Sequence, residues 1–235
     1  MKIGAFILDQ HQPTIHWSIG SVSDQVDDWI LVHDSPVNKA INACFQMAES
    51  KFDYFVVLGG DTIHFPESIK TMMGYMESGT WSVMGRLVDY YRGIDGYGNH
   101  LYSTKELNGY RVDEADQMYD HQIHVHMKEV GKKKILTTEV IGVHHPTWTA
   151  KEVFEKFAFS GLRYPDKEYK KYLKQIEVRV IENLNPVNTA AYYAMQYGHG
   201  LREVGDKRPL ASGMFKEAWQ EYIKENTDGQ LTWFL

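Results

Sequence analysis

Cysteine is almost absent: Cys44 stands alone among 235 residues. That excludes an intrachain disulfide and a multi-cysteine zinc site, and it points to a reducing compartment, with Cys44 as small core filler. Long apolar runs are missing as well, since nothing approaches the roughly eighteen residues a membrane-spanning helix needs. The opening, residues 1–9, is apolar too briefly for a secretory h-region and follows no positive run. The expectation is a cytoplasmic protein without a transmembrane segment. There is no basic surplus: 25 Lys and Arg face 31 Asp and Glu, a net charge of −6, so any contact with nucleic acid must use a local basic patch, and non-specific coating is not expected. Several catalytic signatures are also missing. No G-x-x-x-x-G-K-[ST] loop, G-x-G-x-x-G turn after a strand, G-x-S-x-G elbow or H-E-x-x-H helix occurs, which removes most of the case for P-loop, Rossmann, α/β-hydrolase and zincin chemistry.

What is present suits an ordinary globular chain, with 43% hydrophobic and 24% charged residues. Continuous apolar runs at 2–8, 29–32 and 54–58 read as strands covered on both faces. Ala40, Ile41, Cys44, Phe45 and Ala48 recur at helical spacing, with Asn38 as the expected cap. A second helix follows over Pro66, Ile69, Met72, Met73 and Met76. Further strands are expected at 83–88 and 135–143. This β-α-β-α order favours a parallel or mixed sheet with helices on its faces.

Between 88 and 110 the expectation is a long irregular loop punctuated by Gly93, Gly96, Gly98 and Gly109. There Tyr90, Tyr91, Tyr97 and Tyr102 either stack on a sugar or base or simply pack the loop. Ile123, Met127 and Val130 mark a helix face ending at Gly131, followed by a solvated Lys132-Lys133-Lys134 turn. His121, His124 and His126 crowd this segment, but only His121 and His124 share a helical face, which argues against a zinc site there. Beyond about 150 the pattern is amphipathic and helical, divided by Pro186, a Gly198-His199-Gly200 turn and Pro209, with a last helix around Phe215, Trp219, Tyr222 and Ile223.

Polar residues gather at the ends of the expected strands, where open α/β sheets bind ligands. Asp9 follows the first strand, His33-Asp34-Ser35 the second, Gly59-Gly60-Asp61 the third and His144-His145 a later one. A carboxylate and a histidine so placed can share a divalent cation.

Residues 14–25, with Ser21 and Gln25 spaced as S-x-x-x-Q, lead into Asp28-Trp29-Ile30-Leu31-Val32-His33-Asp34-Ser35. Together they resemble the opening of the family 2 type glycosyltransferases of GT-A fold. Asn38-Lys39-Ala40-Ile41-Asn42 is similar to that family's entry into the next helix. The stretch from Asp53 to Asp61 resembles its strand ending in a D-x-D motif, with Gly59 in place of the first aspartate. Asp120 lies eleven residues before Gly131, and His144 thirteen after it, matching the family's E-D, G-[YF]-[KR] and H spacing. Tyr119 replaces the glutamate of the E-D pair.

The resemblance covers about residues 1–150 and implies a GT-A-like α/β fold, with a mixed, mostly parallel sheet and a C-terminal helical extension over 151–235. It implies a nucleotide-sugar donor, UDP-linked in most of the family, and Mn²⁺ or Mg²⁺ held by Asp61 and His144, with His145 as the substitute should the register slip. Asp120 is the implied general base, with Glu114 and Asp116 as rivals, giving inversion at the anomeric carbon. Asp34 is the implied contact for base or ribose and Lys39 for a phosphate, while Asp9 and Asn42 are lesser donor-binding candidates. The acceptor stays open among glycan, lipid, protein and modified nucleic acid. Two alternatives stand beside this reading. One is a nucleotide-sugar-binding module without catalysis, suggested by Gly59 and Tyr119. The other is a sugar-phosphate nucleotidyltransferase, disfavoured because Asp9-Gln10-His11-Gln12-Pro13-Thr14 is not a basic Gly-rich loop.

Overall fold

Four successive residues of the strand Ile3–Leu8 (β1) are buried, so neither face of it meets water. The continuous apolar run reflects a layer of helices on each side. The structure, a computed structural model, describes residues 1–9, 14–33, 36–89, 93–114, 119–144, 149–183, 186–203 and 215–226. The chain divides into two compact units, Met1–Thr147 and Trp148–Leu235. After β1 the first unit continues with α1 (Ile15–Val22), β2 (Asp28–Val32), α2 (Val37–Lys51), β3 (Tyr54–Gly59), β4 (Thr62–His64) and α3 (Ser68–Met73). Then come β5 (Thr80–Asp89), β6 (Gly93–Ser103), α4 (Thr104–Leu107), α5 (Tyr119–Glu129) and β7 (Lys133–His144).

The strands form one sheet in the order β2-β1-β3-β6-β5-β7-β4. Pairings β1–β2, β1–β3 and β5–β7 are parallel, while β3–β6, β5–β6 and β4–β7 are antiparallel. Following these directions across the sheet, β1, β2, β3, β5 and β7 run one way and β4 and β6 the other. The sheet is therefore mixed and mostly parallel, as expected.

Alternate residues of each strand feed opposite cores. Phe6, Phe55, Trp81 and Tyr102 pack with Ile41, Cys44 and Phe45 of α2 and Ile123 and Met127 of α5. Ala5, Ile7, Val56, Leu58 and Leu101 pack on the other face with Val22 of α1 and Ile69 and Met72 of α3. Cys44 is fully buried, and burial pushes its thiol up to about 12, so it is the inert filler anticipated.

Two expectations are corrected here. The supposed loop after residue 92 is a strand, β6, paired with both β3 and β5. Its glycines hid it from propensity, and at Gly98 the missing side chain leaves room for Leu87, whose Cδ1 would stand 2.7 Å from an added Cβ. Tyr102 is consequently core, 1% exposed, with its ring stacked on Phe55 and His100. Asn38 is not the cap of α2, whose N-cap is Pro36; its amide instead donates to the Asp113 carbonyl at 2.8 Å. The end of α5 follows expectation. Gly131 has φ +74°, Lys132 N–H donates to the Met127 carbonyl and Gly131 N–H to that of Lys128, a complete Schellman closure. Of the lysine run, Lys132 and Lys133 form ion pairs with Glu106 and Glu77.

The second unit contains α6 (Ala150–Arg163), α7 (Asp166–Glu182), α8 (Pro186–Glu203) and α9 (Lys216–Asn226). Thr149 and Glu152 close a reciprocal capping box at the start of α6. Gly198 does not make a turn but lies inside α8. Its missing side chain admits the α6 backbone, since a Cβ there would overlap the Ala158 carbonyl, and one on Gly161 would overlap that of Met195. None of the described helices is long and apolar enough to cross a membrane.

One connection dictates the shape of the sheet. β3 and β4 occupy its third and seventh places yet are joined only through Gly60 and Asp61. Four strand spacings in a flat sheet come to about 19 Å, whereas three Cα steps reach at most about 11 Å. The sheet must curl, carrying the end of β7 toward the end of β3.

Two histidines are buried inside this curled unit. His64 binds Ser68 Oγ (2.8 Å) and Asn99 Nδ2 (2.9 Å), and His100 binds Ser82 Oγ (2.7 Å). Burial pulls His64 down to about 4 and His100 to about 3. Both folded values lie below the unfolded one of about 6.5, so the unfolded chain binds more protons through the interval between them. Stability should be fully present above pH 6.5 and fall as acid is added toward pH 4. Each histidine contributes up to about 1.4 kcal/mol per pH unit. Urea unfolding at pH 7.5, 6 and 5 checks this, and a His64→Gln variant should show a shallower slope.

Candidate active site at the carboxyl edge of the sheet

The curl sets Asp61 beside His144. In the β4–β7 ladder Thr62 is opposite His144, and in the β5–β7 ladder so is Asp89. The His144 ring thus lies between two carboxylates. Its Nε2 is 3.7 Å from Asp61 Oδ2 and its Nδ1 3.3 Å from Asp89 Oδ2. Exposure distinguishes the two acids: the Asp61 side chain is 23% exposed and that of Asp89 only 4%. One is partly open to solvent and the other is almost wholly withdrawn from it.

The turn carrying Asp61 is fixed from the neighbouring strand. Gly60 N–H donates to the Leu8 carbonyl (3.0 Å), and the buried Thr14 hydroxyl donates to the Gly60 carbonyl (2.7 Å). Gly59, standing where the related motif has its first aspartate, has a local reason. A Cβ built there would be 2.5 Å from Asp61 Oδ1, so the remaining carboxylate leans over the place of the missing one.

Farther along the same edge, Asp9 Oδ2 meets His33 Nδ1 at 2.9 Å, with Asp9 nearly buried and His33 open to solvent. Lys39 is exposed in the first turn of α2. Asn42 is employed otherwise than as a donor contact. Its amide donates to the Val112 carbonyl and its carbonyl accepts from Val112 N–H, both at 2.9 Å, and Nδ2 reaches Glu114 at 3.3 Å. Asn38 and Asn42, one helical turn apart, clamp residues 112–113, and Gln122 of α5 grips Asp113 from the other side. The chain entering α5 is thereby held to α2.

Asp120 sits exposed in the first turn of α5, where its carboxylate accepts from His121 N–H at 3.0 Å and meets the positive end of the helix. Its electrostatic neighbours are Tyr119, Tyr102 and Lys134. Tyr119, in place of the expected glutamate, packs on the core, and burial raises its phenol to about 12. The structure thus joins Asp61 to His144 and gives Asp120 separate company. Asp34, Asp116, His145, Tyr90 and Tyr91 lie outside the described residues.

Asp89 and His33 had not been singled out as site residues. Asp89 ends an anticipated strand, and the strand-end rule that selected Asp9 and Asp61 applies to it equally.

Asp61 and His144 suit a divalent cation that accepts both oxygen and nitrogen, such as Mn²⁺. Their 3.7 Å separation is within the about 4.2 Å that two metal–ligand bonds of about 2.1 Å can span. Among the described residues no three His, Cys, Asp or Glu side chains are disposed to hold a metal by themselves. Substrate oxygens and water would have to complete the coordination.

No protein-family model matches the chain, and no curated protein matches its sequence. Solved structures do match. The mannosyltransferase PcManGT of Pyrobaculum calidifontis, solved with GDP-Man and Mn²⁺, is 10% identical over 95% of this chain and 81% of that one, with a TM-score of 0.50. The fold is GT-A-like. S. aureus TarS 1–349 aligns over 95% of this chain and 78% of its own at 9% identity and TM-score 0.47. The catalytic domain of Drosophila beta1,4galactosyltransferase 7 aligns over 63% and 72% at 13% identity and TM-score 0.45.

Gly142 tests the geometry of this edge. A Cβ there would overlap the Ile63 carbonyl of β4, so Gly142→Ala should push β4 away from β7. A loss of about 1–3 kcal/mol is expected in urea unfolding. Gly200 in α8 has nothing within 4 Å of an added Cβ, so Gly200→Ala should be neutral or gain up to about 1 kcal/mol.

Proposed function

We propose that this chain is a cation-dependent glycosyltransferase that moves a hexosyl group from a nucleoside diphosphate sugar, UDP-linked by the motif resemblance, to an acceptor hydroxyl with inversion. The observation that carries this reading is the Asp61–His144 pair at the carboxyl edge of a GT-A-like sheet. Mn²⁺ or Mg²⁺ bound there would offset the charge developing on the departing diphosphate. Asp61 and His144 bind and orient that end of the donor. Asp34 and Asp9 are assigned to the nucleoside and Lys39 to a phosphate, while Asn42 is left out because both ends of its amide are used on Val112.

In the transfer, the bond between the anomeric carbon and the diphosphate oxygen breaks and its electron pair leaves with the nucleoside diphosphate. The acceptor oxygen forms the new bond from the opposite face. Its proton passes to the Asp120 carboxylate, which is suited to the task by its exposure at the start of α5. The second unit is assigned no chemical step. A binding module without turnover is the second reading, favoured by Gly59 and Tyr119 standing where the related family carries acids.

The full chain, given UDP- and GDP-linked sugars with and without Mn²⁺, separates these readings. Mn²⁺-dependent donor hydrolysis is expected. Asp61→Ala should abolish metal-dependent donor binding. Asp120→Asn should preserve binding and lower turnover on the order of 10²–10⁴-fold. Nucleotide binding with no turnover of any donor, unaltered by Asp120→Asn, would establish the binding module instead.

A further inference from the structure

A ligating imidazole must present an unprotonated nitrogen to its metal, and the group bonded to the other nitrogen decides which one that is. In His144, Nε2 faces Asp61, whose side chain is partly open to solvent, while Nδ1 faces Asp89. Asp89 is the last residue of β5 and lies in register with His144 of β7. Its side chain is almost entirely withdrawn from solvent. A carboxylate so deeply placed is a poor first contact for a diphosphate donor but a suitable acceptor for an imidazole N–H.

We propose that Asp89 is the positioning residue of the site: it accepts the Nδ1 proton of His144, fixes that tautomer and keeps Nε2 unprotonated toward Asp61. No bond is made or broken to substrate at Asp89. The β5–β7 ladder holds the ring between the two acids, so its orientation is set before any ligand arrives. The relevance of this to catalysis rests on the reading of Asp61 and His144 as the donor's cation site, whereas the tautomer itself does not.

Histidine-labelled full-length protein at pH 8, observed by long-range proton–nitrogen NMR without metal, reads the tautomer directly, with His144 assigned through a His144→Gln variant. The expected result is a proton on Nδ1 in the parent and in Asp89→Asn, which keeps an acceptor. In Asp89→Leu, which removes it, the population should shift toward Nε2–H. Titration with Mn²⁺ and UDP should show a 10- to 100-fold loss of affinity in Asp89→Leu and a smaller one in Asp89→Asn. A proton on Nε2 of His144 in the parent overturns the proposal without recourse to any variant, as does a tautomer unchanged in Asp89→Leu. If the tautomer behaves as expected but the parent takes up no Mn²⁺ with any nucleotide, the positioning role is supported and the cation-site reading fails.

Discussion

Two residues, Gly60 and Asp61, have to carry the chain from the third place in the sheet to its seventh. That reach is too short for a flat sheet, and the rest of the site follows from it. Curling delivers β4 to the end of β7, which puts Thr62 opposite His144 and brings the preceding residue, Asp61, to the imidazole. The same strand end pairs with β5 and supplies Asp89. Glycines mark where there is no room for a side chain: Gly142 lies against the Ile63 carbonyl of the neighbouring strand, and Gly85 makes space for the Ile141 side chain.

The histidines show how placement determines use. His64 and His100 are sealed among apolar, hydroxyl and amide neighbours, where burial keeps them neutral, so they serve as hydrogen-bonding parts of the core. His144 and His33 stand at strand ends, each against a carboxylate, and retain a face toward solvent. Sequence proximity alone does not separate these classes, because His64 is only three residues beyond Asp61. Their surroundings do: His64 is enclosed with Ser68 and Asn99 on its ring, whereas His144 lies between carboxylates.

Much of the fold was legible because strands covered on both faces must be apolar throughout. The runs in β1 and β3 announce themselves for that reason, whereas β2 and β7 carry short apolar stretches in strands that stay partly exposed, with Trp29 and Leu136 open to solvent. β6 does not announce itself, because its glycines and polar residues break the apolar run, and what makes it a strand is its pairing on both sides, with Gly98 packed against Leu87, which only the assembled sheet imposes. β4, three residues long, is too short for any periodicity. Within the site, the pairing of Asp61 with His144 was accessible from strand-end placement and the motif resemblance. The strand-end place of Asp89 was equally accessible, but its contact with His144 was not, since that depends on the register between β5 and β7. Asn42 shows the opposite case: a polar residue at a suggestive position whose amide tethers the chain on its way to α5.

The most direct test asks whether Asp61 and His144 act together on one cation. Electron spin-echo spectroscopy of Mn²⁺ bound to the full chain with UDP should reveal coupling to a single histidine nitrogen, and that coupling should vanish in His144→Ala. Its absence in the parent, or its persistence in the variant, would contradict the account.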